Sequence, residues 1–121
     1  MLGLGYVKSA KIVPTDTITG FDPKQLGVLM AGVRLARVVP PLDVSEPLVE
    51  AQLLRGPKAD VVMLANWAYE DVPSLKVTIR GAAAAKRITA SSGAPVRVSR
   101  HDKDVTVTLR VHQTEALVLR R

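Results

Sequence analysis

The second half of the chain consists of short runs in which apolar and polar residues alternate. Residues 105–111 read Val-Thr-Val-Thr-Leu-Arg-Val, and residues 74–80 follow the same two-residue period. Because successive side chains of a strand point to opposite faces, each run predicts a strand with one buried and one solvated face. Such strands form antiparallel layers. The pattern therefore says much about the fold and little about an activity.

Further strands are predicted wherever apolar runs stand between turn-forming residues. Their spacing is typical of an antiparallel β-sandwich of about seven strands. Residues 60–65 are apolar on both faces, which predicts a central strand. The fold class predicted is therefore mainly β, with one short N-terminal helix. The predicted strands are residues 48–54, 60–66, 74–80, 85–89, 95–99, 105–111 and 115–119.

One helix is predicted near residues 23–33. Asp22 can cap the helix, and Pro23 suits its first position. Gln25 stands three residues after Asp22, where a capping box has Glu or Gln. Apolar residues follow at helical spacing, while Gly27 and Gly32 favour a length of only about nine to twelve residues. The helical apolar residues are Leu26, Leu29, Met30 and Val33.

The predicted division into domains follows from the Pro40-Pro41 pair, which resembles a linker. Residues 1–40 are expected to be an N-terminal extension that contains the helix and ends in the linker. Residues 41–121 are expected to form the β-sandwich domain. If the apolar face of the helix is exposed, it should drive self-association into a homo-oligomer or mark a missing partner.

Composition excludes several classes of site. The 121 residues include no cysteine, so there is no disulfide, no thiolate nucleophile and no Cys-ligated zinc. The N-terminus predicts no signal peptide, and the apolar run 28–33 is far shorter than the roughly 20 residues that cross a bilayer. We expect a soluble protein without membrane contact, and the compartment stays open.

Charge is concentrated in one stretch of the chain. The net charge is +6, and residues 72–101 contain no acid. One interpretation is an anion-binding sheet face for nucleic acid or acidic polysaccharide. The favoured interpretation is an ordinary solvated face, because Lys76 and Arg80 take the wet positions of their strand. The candidate anion surface consists of Lys76, Arg80, Lys86, Arg87, Arg97 and Arg100.

No residue set predicts catalysis. His101-Asp102-Lys103-Asp104 has the residue types of a cation site or an acid–base pair, but the same types are typical of a polar turn, which we favour. The acids cannot be paired as in glycoside hydrolases, and no serine stands in a nucleophile elbow. The sequence therefore predicts no catalytic, cofactor-binding or metal-binding residue, and no enzyme.

The candidate ligand surface is the segment Asn66-Trp67-Ala68-Tyr69, which carries two of the chain's few aromatic residues. As a ligand surface, Asn66, Trp67 and Tyr69 would present two rings at a loop. The favoured interpretation is structural: Asn66 hydrogen-bonds its own turn, and the Trp67 ring closes one end of the sandwich as part of the core.

A longer pattern surrounds this segment. A strand ending in Leu64-Ala65-Asn66-Trp67 is followed by a turn and by the alternating residues 75–79. Residues 44–50, the Lys86-Arg87 strand and residues 115–119 continue the pattern. From about residue 44 to 119 the chain resembles the C-terminal β-sandwich domain of multidomain glycoside-hydrolase-like proteins of the β-galactosidase type. The resemblance implies a domain without catalytic residues, since the catalytic acids of such proteins belong to their barrel.

Two functions are therefore expected from the sequence. The first is a non-catalytic accessory or interaction module that associates with a larger carbohydrate-active protein, with a polysaccharide or with itself. The alternative is a stand-alone domain that binds polyanions through a basic sheet face. Nucleic acid is the less expected partner, because interleaved aromatic residues are missing from the basic stretch.

Overall fold

The structure is a computed structural model that describes residues 23–121. This part of the chain is mainly β with one short helix, as predicted. It has eight strands rather than about seven, arranged in two four-stranded antiparallel sheets. The elements are α1 (Pro23–Leu35), β1 (Leu42–Val44), β2 (Val49–Arg55), β3 (Ala59–Asn66), β4 (Val72–Ile79), β5 (Arg87–Ala90), β6 (Arg97–His101), β7 (Asp104–Val111) and β8 (Thr114–Arg120).

The chain divides into two units between Val39 and Pro40. In the first unit, α1 spans 13 residues, slightly more than predicted. Gly27 and Gly32 both lie inside it, because a penalty of about 1 kcal/mol for each glycine weakens a helix without ending it. The helix ends where Arg37 adopts a left-handed backbone with φ 52°. The predicted cap at Asp22 lies outside the described residues.

The second unit contains both sheets. Sheet 1 has the strand order β1-β4-β7-β6, and sheet 2 has the order β2-β3-β8-β5. The central position of β3, between β2 and β8, confirms the prediction for residues 60–65. The strand absent from the prediction is β1, which pairs with β4 through Leu42↔Ile79 and Val44↔Val77. It is only three residues long and follows two prolines, a sequence that an edge strand tolerates.

The core is made of aliphatic side chains from both sheets. In β7, Val105, Val107, Leu109 and Val111 are buried while the residues between them are not, as the two-residue period predicted. Buried residues of β3, β4, β5 and β8 belong to the same hydrophobic cluster. Within the described residues, no polar or charged side chain is buried. A site built from polar or charged side chains of the described residues therefore lies outside this core.

The outward faces of the two sheets differ in polarity. On sheet 1, Thr78 and Thr106 are partly exposed cross-strand partners whose hydroxyl oxygens are 3.1 Å apart. On sheet 2, Leu54 and Met63 remain about half exposed, and the polar Gln52 lies opposite Met63 on the same outward face. The outward face of sheet 2 therefore exposes more aliphatic surface than that of sheet 1, and strand-borne cations lie on both faces.

Candidate ligand-binding site

Four connections lie together at one end of the second unit, which we call the loop end. They join β1 to β2, β3 to β4, β5 to β6 and β7 to β8, and each passes from one sheet to the other. The loop end therefore brings together segments that are far apart in the sequence. Backbone hydrogen bonds that hold it include Trp67 N to Leu48 O (2.9 Å), Asn66 N to Gln113 O (2.7 Å) and Ser91 N to Ala116 O (2.7 Å).

Asn66 organises the connection between β3 and β4. Its side-chain oxygen Oδ1 accepts a hydrogen bond from Ala68 N at 2.9 Å. Its Nδ2 donates to Glu70 O at 2.9 Å and to His112 O at 2.7 Å. The predicted hydrogen bonding of Asn66 to its own turn is thus confirmed. The same side chain also fixes the β7–β8 connection, which the sequence did not indicate.

The two aromatic residues of this connection are exposed. The residue accessibility is 65% for Trp67 and 87% for Tyr69. The prediction that the Trp67 ring belongs to the core is therefore wrong. Val62 and Leu64 point inward, so the two-residue alternation, continued one position past β3, places Trp67 on the outward side. There, its Nε1 donates to Glu50 Oε2 at 3.2 Å.

A groove of about 830 Å³ lies at the loop end, on the side of sheet 1. It is bounded by the β5–β6 connection and by the ends of β4, β7 and β8. Cationic and hydroxyl-bearing side chains line it together with apolar residues, among them two prolines. The residues that line the groove are Pro73, Ser74, Ser92, Gly93, Ala94, Pro95, Arg97, Thr108, Leu109, Arg110, His112, Thr114 and Glu115.

An acid beside the groove is already engaged by two groove residues. Asp71 Oδ2 lies 3.2 Å from Arg110 Nη2 and 2.7 Å from His112 Nδ1. Loss of solvent around its carboxyl group raises the pKa of Asp71, but the hydrogen bonds from Arg110 and His112 outweigh this and hold the pKa below its ordinary value of 3.8. Asp71 therefore positions Arg110 and His112.

The acid inside the groove, Glu115, accepts hydrogen bonds at both of its carboxylate oxygens. Its Oε1 accepts from Ser91 Oγ at 2.8 Å and from Ala116 N at 2.9 Å, and its Oε2 accepts a short hydrogen bond from Ser92 Oγ. Partial burial raises the pKa of Glu115, but the Ser92 hydroxyl, the Ala116 N–H and the Ser91 hydroxyl together lower the pKa below its ordinary value of 4.5. Glu115 thus ties the β5–β6 connection to β8.

Acid pH is expected to destabilise the loop end. Because the folded-state pKa values of Asp71 and Glu115 are lowered, the stability they contribute is complete above their ordinary values of 3.8 and 4.5 and is lost as the pH falls through the folded-state values. Thermal unfolding should show a lower Tm at about pH 3 than at about pH 6. Glu115→Gln should lose less Tm over this range than the wild type, and an equal loss would contradict the assignment.

The structure distributes the six predicted cations over several places. Lys76 and Arg97 lie on the outward face of sheet 1, each paired in register with Thr108 between them. Arg80 follows β4 and donates to Pro40 O at 2.5 Å. Arg100 Nη2 donates to Ala85 O at 2.6 Å. Arg87 is the first residue of β5, in sheet 2, and Lys86 directly precedes that strand. The six residues are therefore not brought to one face.

The segment His101-Asp102-Lys103-Asp104 forms the hairpin between β6 and β7, which confirms the turn interpretation. Asp102 adopts φ 52°, and Asp104 Oδ1 accepts a hydrogen bond from Gly81 N at 3.0 Å. Asp104 therefore holds the neighbouring β4–β5 connection. Between Pro23 and Arg121, no group of three or more His, Cys, Asp or Glu residues is arranged to hold a metal ion.

Comparisons with protein-family models, with curated proteins and with solved structures found no match. The resemblance to the terminal domain of glycoside-hydrolase-like proteins therefore stays a prediction. No helix in the described part of the chain has both the length and the apolar character needed to cross a membrane.

Proposed function

We propose that residues 40–121 form a β-sandwich that acts as a non-catalytic, carbohydrate-binding accessory module. One hydrophobic cluster contains buried residues of both sheets, as expected if the sheets pack face to face. The function is carried by a single observation: Trp67 and Tyr69, both largely exposed, share one short connection. Exposed apolar residues that stand together are typical of interaction surfaces, and a ligand stacked on these two rings would remove their apolar surface from water.

The chemistry of this connection suits a sugar. The face of an aromatic ring is electron-rich and attracts the polarised C–H groups of a pyranose. Glu50, next to the Trp67 indole, accepts its N–H through Oε2 and offers Oε1 to a sugar hydroxyl. Asn66 holds the start of the connection with three hydrogen bonds, which reduces the entropy lost on binding.

Affinity electrophoresis tests the proposal. Since the net charge is +6, the chain should be run towards the cathode in gels that contain a neutral polysaccharide, an acidic polysaccharide or DNA, at low and high salt. The proposal predicts retention by at least one polysaccharide that persists at high salt. Free migration through every gel would contradict it.

Polyanion binding is the second candidate function, and a specific observation favours it. Lys76 and Arg97 lie in one row on the outward face of sheet 1, and neither has an ion pair within the described residues. This candidate predicts retention by DNA as well as by acidic polysaccharide, with both lost at high salt because counterion release drives the binding. Retention that persists at high salt separates the two functions.

A further inference from the structure

We propose that the groove at the loop end is a second binding site, in which Arg97 and Arg110 take the carboxylate of an acidic sugar. The site is distinct from the Trp67 connection, whose rings do not line the groove. That the ligand is a sugar rests on the proposed function. That the bound group is an anion rests on the groove residues alone.

The two arginines are placed to act together. Arg97 pairs in register with Thr108, and Arg110 is two positions further along β7 on the same face. Diagonal neighbours of this kind are about 7–8 Å apart across an antiparallel pair, within reach of long side chains. Arg110 contacts Asp71 through Nη2 alone, so its other N–H groups remain for a carboxylate that Arg97 also approaches. Guanidinium groups bind carboxylates in a planar, bidentate manner.

Among the described residues that line the groove, the charged side chain without a hydrogen bond or ion pair is a cation. Glu115 accepts three hydrogen bonds at Oε1, from Ser91 Oγ, Ser92 N and Ala116 N, and one at Oε2 from Ser92 Oγ. Asp71 is occupied by Arg110 and His112. Arg97, in contrast, makes no ion pair or hydrogen bond through its side chain within residues 23–121. An anionic ligand can therefore pair with Arg97 without breaking an ion pair of the protein.

The size and walls of the groove indicate the rest of the ligand. About 830 Å³ is within the range of sites for small ligands, and it accommodates a few sugar units. Pro73, Ala94 and Pro95 give the groove an apolar side on which the C–H face of a sugar ring can pack. A uronic acid combines this apolar face with one carboxylate. It can therefore offer its carboxylate to the arginines and its C–H face to the apolar side of the groove.

The test compares a short oligomer of galacturonic acid with its methyl ester, which keeps the sugar rings and differs by one methyl group and the lost charge on each unit. Kd values should be measured by NMR titration of backbone amides in the full chain. Wild type is expected to bind the acid at least about tenfold more tightly than the ester, as for a charged hydrogen bond. Arg97→Gln should abolish this difference. Lys76→Gln, which removes the same charge from the same row but outside the groove, should keep it.

Three results would overturn the proposal. One is equal affinity of the wild type for acid and ester. Another is an equal loss of the acid–ester difference in Arg97→Gln and Lys76→Gln, which would indicate binding through the overall positive charge of the sheet face. The third is tighter binding of a DNA oligonucleotide of matched charge than of the acidic oligomer. The proposed function fails separately: Trp67→Ala should weaken binding of the ester at the amides of the Trp67 connection while leaving the acid–ester ratio at the amides of the groove unchanged.

Discussion

Trp67→Ala is expected to weaken the binding of neutral polysaccharide strongly while leaving the fold intact. The side chain is mostly exposed, so the free energy of unfolding should fall by less than about 1 kcal/mol. A core tryptophan would cost about 3–5 kcal/mol. Aromatic anchors of binding surfaces commonly contribute 2 kcal/mol or more, so the Kd for the polysaccharide should rise by at least about tenfold. Thermal unfolding and affinity electrophoresis of the same preparation measure both effects.

A matched variant separates the ring from its hydrogen bond. Trp67→Phe keeps an aromatic face and removes the Nε1–H that donates to Glu50. It should therefore retain more binding than Trp67→Ala. A large fall in Tm for Trp67→Ala would contradict the exposed position of the ring. Unchanged retention of Trp67→Ala would contradict its role in binding.

Leu117→Ala is expected to have the largest effect on stability. Leu117 is fully buried in β8, a central strand of sheet 2, within the cluster that contains residues of both sheets. Removing its side chain should cost about 2–5 kcal/mol, because transfer free energy is lost and a cavity remains. For a domain of this size each kcal/mol lowers Tm by about 4–8 °C, so a fall of roughly 10 °C or more is expected.

The control for this variant is the same substitution on the other face of the same sheet. Leu54 in β2 is about half exposed, so Leu54→Ala should cost less than about 1 kcal/mol. Chemical denaturation of both variants gives the comparison directly. Similar losses for Leu54→Ala and Leu117→Ala would contradict the inward and outward assignment of the sheet 2 side chains.

Much of the fold could be predicted from side-chain alternation. The period of two in β7 and β4 indicated which residues are buried, because on a half-buried strand burial and alternation are the same property. The strand β1 escaped prediction because three residues are too few to show a period. The predicted helix, near residues 23–33, is slightly too short. The two glycines lower helix stability but do not stop the helix from continuing to Leu35.

The candidate site was only partly predictable. Asn66 and Trp67 were singled out by local sequence, and the alternation of β3, continued by one residue, would have placed Trp67 outside the core. The groove could not be found in this way. Arg97 and Arg110 come together only through the register of β6 and β7, and Asp71 reaches Arg110 across 39 positions of sequence. Such a site depends on strand pairing, which a single sequence does not reveal.

The most direct test of the carbohydrate-binding account uses the fluorescence of Trp67, the single tryptophan of the chain. Neutral and acidic oligosaccharides should be titrated into the wild-type protein at high salt. The account predicts a saturable change in emission with at least one glycan, because a sugar that stacks on the indole removes water from it. Emission that stays unchanged with every glycan would contradict the account.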